Sequence, residues 1–158
     1  MTPPIDSVLL VGFGGPTRPD DVLPFLRHVA HGRGVPEDRL VEVARHYEAV
    51  GNRSPYNDLT VKLAGSLSRW LEGAGRPLPV QAGMRNWHPF LTETVGRMRV
   101  AGHHHAAGII LAPHRSEASW DRYHRDISEA IDAAGGGEFL VTCVPPWFDD
   151  PGFLEACA

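Results

Sequence analysis

Two apolar runs in this chain end on residues that could do chemistry, and they lie about a hundred positions apart. The first, Val8-Leu9-Leu10-Val11, runs into Gly12-Phe13-Gly14-Gly15-Pro16. The second, Ile109-Ile110-Leu111-Ala112, runs into Pro113-His114-Arg115-Ser116, with Ser119, Trp120 and Tyr123 just beyond. In an open α/β sheet, ligands bind outside the carboxyl ends of parallel strands. Two such ends carrying aromatic, hydroxyl and imidazole groups therefore predict one shared pocket. His114 is the versatile group there: a base, a ligand or a hydrogen-bond donor, or a loop histidine bonded to backbone.

Other candidates carry weaker signals. The glycines after the first strand fit a dinucleotide loop poorly. The third glycine of G-x-G-x-x-G would fall on Thr17, and the second strand ends in Gly83-Met84-Arg85 without the carboxylate that holds a ribose. No Lys-Ser/Thr pair marks a P-loop. Three consecutive histidines, His103, His104 and His105, diverge too much for one metal and read as a solvated connection before a strand. No paired-cysteine signature for a structural zinc occurs. Ser54 lies in a loop without a nucleophile elbow. At the end of a helix, Tyr47 reads as core and His46 as surface.

The elements that must position these groups alternate. Strands are predicted over 7–13, 78–84, 107–112 and 139–144. Helices are predicted over 20–30, 37–50, 90–101 and 118–134. Another is capped by Asn57 or Asp58, and a last one starts at Pro151. One face of the second helix is assigned to Val41, Ala44, Tyr47 and Val50, and one face of the third to Leu63, Leu67, Trp70 and Leu71. Strands separated by helices imply parallel pairing with right-handed crossovers. The expected fold is a doubly wound α/β lobe with a four-stranded parallel sheet flanked by helices, one domain over 1–158. The final helix stops where an α/β protein is normally mid-element.

Composition narrows the partners. Net charge is −4, and no basic run marks a nucleic-acid surface. One lysine stands against fourteen arginines, which fits coding bias as well as the high glycine and proline content does. Cys143 and Cys157 are too few for a disulfide framework. No targeting or membrane-spanning segment is apparent, so the cytoplasm is the default compartment.

Read in order, the segments resemble the ferrochelatase family. They are Leu9 to Pro16, Pro24-Phe25-Leu26, Gly32-Arg33-Gly34, Tyr47 to Asn57, Gly83 to Phe90, Leu111 to His114, and Val144 to Phe153. Within the family they are similar to the branch that inserts iron into coproporphyrin III. The resemblance covers essentially the whole chain and only the N-terminal half of the family's usual length. It implies a porphyrin cleft between two similar lobes, ferrous iron as substrate and no tightly bound cofactor. Phe13 falls where that branch often has a tyrosine near the metal face. Its ring can stack on a porphyrin but cannot ligate iron. His46, Tyr47, Ser54 and Tyr123 match positions that contact the macrocycle or its propionates. Ala30 replaces a basic residue of some relatives, with His31 as a substitute.

The family's iron-handling histidine and its partner glutamate belong to the second lobe, which nothing in this chain matches. The catalytic residues are thus unassigned, and no residue here is named as a metal ligand. A homodimer would supply a second lobe if the chain is naturally complete. The other function expected from the same residues is a non-catalytic tetrapyrrole-binding or carrier domain. A nucleotide-binding domain comes third.

Overall fold

A continuous apolar run with no charged position needs cover on both faces, and Ser7–Gly12 (β1) has it: all six residues are buried. This strand is the centre of the structure, a computed structural model that describes residues 2–158. β1 pairs in parallel with β2 (Val80–Met84) on one side and with β3 (His105–Ile110) on the other, and β3 pairs in parallel with β4 (Leu140–Cys143). The order is β2-β1-β3-β4. The expected four-stranded parallel sheet is the observed one.

Six helices accompany it: α1 (Val22–Ala30), α2 (Glu37–Glu48), α3 (Tyr56–Gly73), α4 (Leu91–Val100), α5 (Arg122–Ala133) and α6 (Pro151–Cys157). α4 and α5 bury Leu91, Val95, Met98, Tyr123, Ile127 and Ala130 against Leu9, Val11, Ala106 and Ile110. On the opposite face, α3 packs Ala64, Leu67 and Leu71 onto Val8, Leu10, Ala82 and Met84. α6 begins with Pro151 in its first turn, as its sequence predicts, and the Asp150 carboxylate accepts hydrogen bonds from the Gly152 and Phe153 N–H groups.

Five expectations need correction. β3 starts at His105, not at 107, because that histidine is core. Its Nδ1 lies 2.7 Å from the Pro3 carbonyl and its Nε2 lies 2.8 Å from Thr142 Oγ1, so a residue with polar character is paired and buried. The solvated reading fits exposed His104 alone of the three, since His103 is half-buried near Asp6. The α3 stripe is also rotated. Its buried residues are Asn57, Thr60 and Ala64, whereas Leu63 and Trp70 face outward, Trp70 at 68% exposed. Nor does Asn57 or Asp58 cap this helix: Pro55 occupies the cap position. α2 ends at Glu48 and not at position 50; its buried residue is Leu40, Val41 is exposed on it, and Val50 is exposed beyond its end.

Candidate functional site at the carboxyl edge of the sheet

β1 ends at Gly12, and the loop after it is held by contacts from two distant loops. The Tyr56 hydroxyl accepts a hydrogen bond from the Phe13 N–H at 3.1 Å. Asn57 Oδ1 accepts from the Gly15 N–H at 2.9 Å, and Asn57 Nδ2 donates to the His88 carbonyl at 2.8 Å. The Ser54 N–H donates to the Pro16 carbonyl at 2.7 Å. From the third loop, the Asn86 N–H and Nδ2 both donate to the Phe13 carbonyl. Buried Asn57 is thus a bridge among all three loops, which fixes where Phe13 and Ser54 stand.

Asp21, just ahead of α1, closes the far side of the same loop. Its Oδ2 accepts from the Thr17 N–H and hydroxyl, from the Arg18 N–H and from Trp87 Nε1. Burial alone would push this carboxyl up. The hydrogen bonds from Thr17, Arg18 and Trp87 outweigh burial and hold it at about 2. Trp87 in turn meets Phe25 edge-on at 5.9 Å, and Phe25 meets Phe13 at 6.4 Å. The Phe13 ring is therefore backed by aromatics while remaining 39% exposed, which suits a surface for a flat apolar ligand.

Close approach requires the glycines. A Cβ on Gly15 would stand 2.6 Å from Ser54 Cβ, and Gly14, at φ +84°, would place one 2.9 Å from Met84 Cβ. We expect Gly15→Ala to displace the Ser54 loop at a cost of about 1–3 kcal/mol. Chemical denaturation should show that loss, and a cost near zero would mean that the two loops are not in register.

On the β3 side, Tyr123 is buried within the α5 face, and its phenol is pushed well above the usual range, chiefly by burial. It stays protonated, a hydrogen-bond donor. Arg85 lies over its ring at 5.4 Å. His114 is exposed and stacks on Phe148 at 5.6 Å, while Trp147 Nε1 donates to the Ile110 carbonyl at 2.9 Å. Phe13, Ser54 and Tyr123 thus belong to loops or helix starts at one edge of the sheet. His46 and Tyr47 lie near the end of α2, and among the described residues no side-chain hydrogen bond or ring contact joins them to the other three. Sequence reading missed Tyr56, Asn57, Asp21 and Asn86. Asn57 leads the series 57, 60, 64, 67 and 71 at helical spacing, and that stripe was a usable signal.

Comparison with known proteins decides the family. The family model described as Ferrochelatase matches residues 6–158. The chain belongs to the ferrochelatase family. It is 42% identical over 153 residues to the coproporphyrin III ferrochelatase of Mycobacteroides abscessus, covering 97% of this chain and 45% of that protein. The coproporphyrin III ferrochelatase of Nocardia farcinica is 41% identical over 157 residues, covering 98% of this chain and 44% of the relative. The ferrochelatase of Rhodopirellula baltica is 37% identical over 156 residues, covering 99% and 44%. The chain therefore spans slightly less than half the length of these ferrochelatases. Among the described residues no helix is long and apolar enough to cross a membrane, and no group of three or more His, Cys, Asp or Glu side chains is placed to hold a metal ion.

Proposed function

We propose that this chain is the porphyrin-binding lobe of a cytoplasmic chelatase that inserts ferrous iron into coproporphyrin III in heme biosynthesis. The observation that carries the reading is the family match over 6–158, on a fold whose strand ends present Phe13 beside the Ser54 loop. The relatives named for coproporphyrin III support the substrate, and iron follows from the family.

Each group has a defined task. Phe13 offers a ring face to the macrocycle and leaves the metal uncoordinated. The protonated Tyr123 phenol and the Ser54 hydroxyl donate hydrogen bonds to substrate carboxylates, and His46 and Tyr47 on α2 border the ligand. Insertion of Fe²⁺ releases two pyrrole protons, so a base is required as well as a ligand at which the ion sheds water. Neither role is assigned to a residue of this chain.

An anaerobic assay of the chain with coproporphyrin III and ferrous iron tests this division. The expected result is a protein-induced shift of the Soret band, with insertion no faster than in the no-protein control. Insertion above control would show that the metal-handling groups lie within these 158 residues, and would refute the division of labour.

A further inference from the structure

A parallel sheet needs cover on both of its faces. Packed helices stand about 10 Å apart and paired strands about 5 Å apart, so one helix covers roughly two strands, and a four-stranded sheet needs two helices on each face. Right-handed crossovers divide the helices unevenly here. The chain steps from β1 to β2 in one direction, and from β2 to β3 and β3 to β4 in the other. α4 and α5 therefore share one face, and α3 stands on the opposite one, over β1 and β2. Among the described residues, no other helix joins the apolar cluster beneath α3.

The other half of that face is open. The register of β3 and β4 pairs His105 with Leu140 and Ala107 with Thr142, so Leu140 and Thr142 share the side of Ala107. Leu140 and Thr142 are exposed, and Ala107 and Ile109, on an inner strand, are only half-buried. Between this surface and α3 lies a recess of about 600 Å³. Its walls are apolar side chains that include Leu67, Leu71, Ala107 and Ile109, and Arg76 is its single charged residue.

The same helix also carries an exposed apolar edge. Leu63 and Trp70 stand out into solvent, four residues before Leu67 and three after it. That spacing makes them its neighbours on the helix surface, so the edge continues the wall of the recess outward. A recess and a projecting apolar edge side by side form a self-complementary surface. In a two-fold pair, Leu63 and Trp70 of each copy enter the recess of the other, which accounts for both features at once. The dimensions suffice. α3 has 18 residues and is about 27 Å long. Its flank and the two open strands together are about 20 Å wide. A partner laid along them covers roughly 550 Å² of each copy, or about 1,100 Å² in all, just above what a specific association requires.

We propose that this face binds a second copy of the chain through a two-fold interface of α3 against α3. None of the residues assigned above to the porphyrin belongs to it, so the inference stands apart from the proposed function.

Sedimentation equilibrium of the 158-residue chain tests it. The mass should rise from that of one chain to that of two across the micromolar range, the weak end for an interface of this size. Leu63→Glu combined with Trp70→Glu should weaken association by at least about tenfold, and so should Leu140→Glu on β4, since each sets a charge inside the contact. Val100→Glu, on the face of α4 and α5, should leave it unchanged. All four positions are exposed in the single chain, so the melting temperatures of the variants in dilute solution should match that of wild type. A single-chain mass at every concentration overturns the proposal, as does a dimer that neither the α3 nor the β4 variant weakens. A chain that stays single while its recess takes up the apolar dye anilinonaphthalene sulfonate would assign the recess to another occupant, and would likewise overturn the second copy.

Discussion

Replacing Asn57 with alanine is expected to cost about 3 kcal/mol, because it strands two buried backbone groups at once. The Gly15 N–H loses its acceptor and the His88 carbonyl loses its donor, and these groups sit 42 and 31 residues away along the chain. Water cannot readily replace either partner, since Asn57 is 5% exposed. For a chain of this length the loss should lower the melting temperature by roughly 6–12 °C. Asn57→Asp separates the two halves of the effect. It keeps the acceptor for Gly15 and sets a carboxylate against the His88 carbonyl, so it should be no more stable than the alanine variant. An alanine variant within 1 °C of wild type, by calorimetry, would show that the bridge does not hold the loops together.

Asp21→Ala should be comparably damaging. Four donors from Thr17, Arg18 and Trp87 converge on Asp21 Oδ2, and none of them has a replacement acceptor in the loop. Hydrogen bonds to a charged acceptor are among the stronger ones, and the expected loss is about 3 kcal/mol. The acid dependence gives an independent reading. This carboxyl titrates at about 2 in the folded protein against 3.8 in its unperturbed state. Its contribution is therefore present above 3.8, declines as pH falls below that value, and is gone once pH drops beneath about 2. Asp21→Asn cannot ionise and should lose this segment of the pH–stability curve. An Asn variant whose acid unfolding superimposes on that of wild type would contradict the assignment.

Both residues show what was legible in the amino-acid sequence and what was not. β1 announced itself because six buried positions in a row leave no alternative to a covered central strand. The strand ends bearing Phe13 and the Tyr123 segment followed from the same logic. α2 was misread because it has a single buried residue, so periodicity had almost nothing to report. His105 was misread because a paired polar side chain in a core looks the same in sequence as a solvated one. Helical spacing signalled that Asn57 is buried, and Thr17 and Arg18 lie close to Asp21 in sequence. What escaped was the bridging: the bonds of Asn57 to Gly15 and His88 and of Asp21 to Trp87 span sequence distances that no local pattern encodes.

The most direct measurement is an absorbance titration of coproporphyrin III with the wild-type chain and with the Gly15→Ala variant, both first shown to be folded by circular dichroism. The wild-type chain should give a saturable Soret shift. The variant, with its Ser54 loop displaced, should bind at least about tenfold more weakly, a change of roughly 1.4 kcal/mol. A wild-type titration without saturation, or identical curves for the two proteins, would contradict the claim that this edge of the sheet is the porphyrin site.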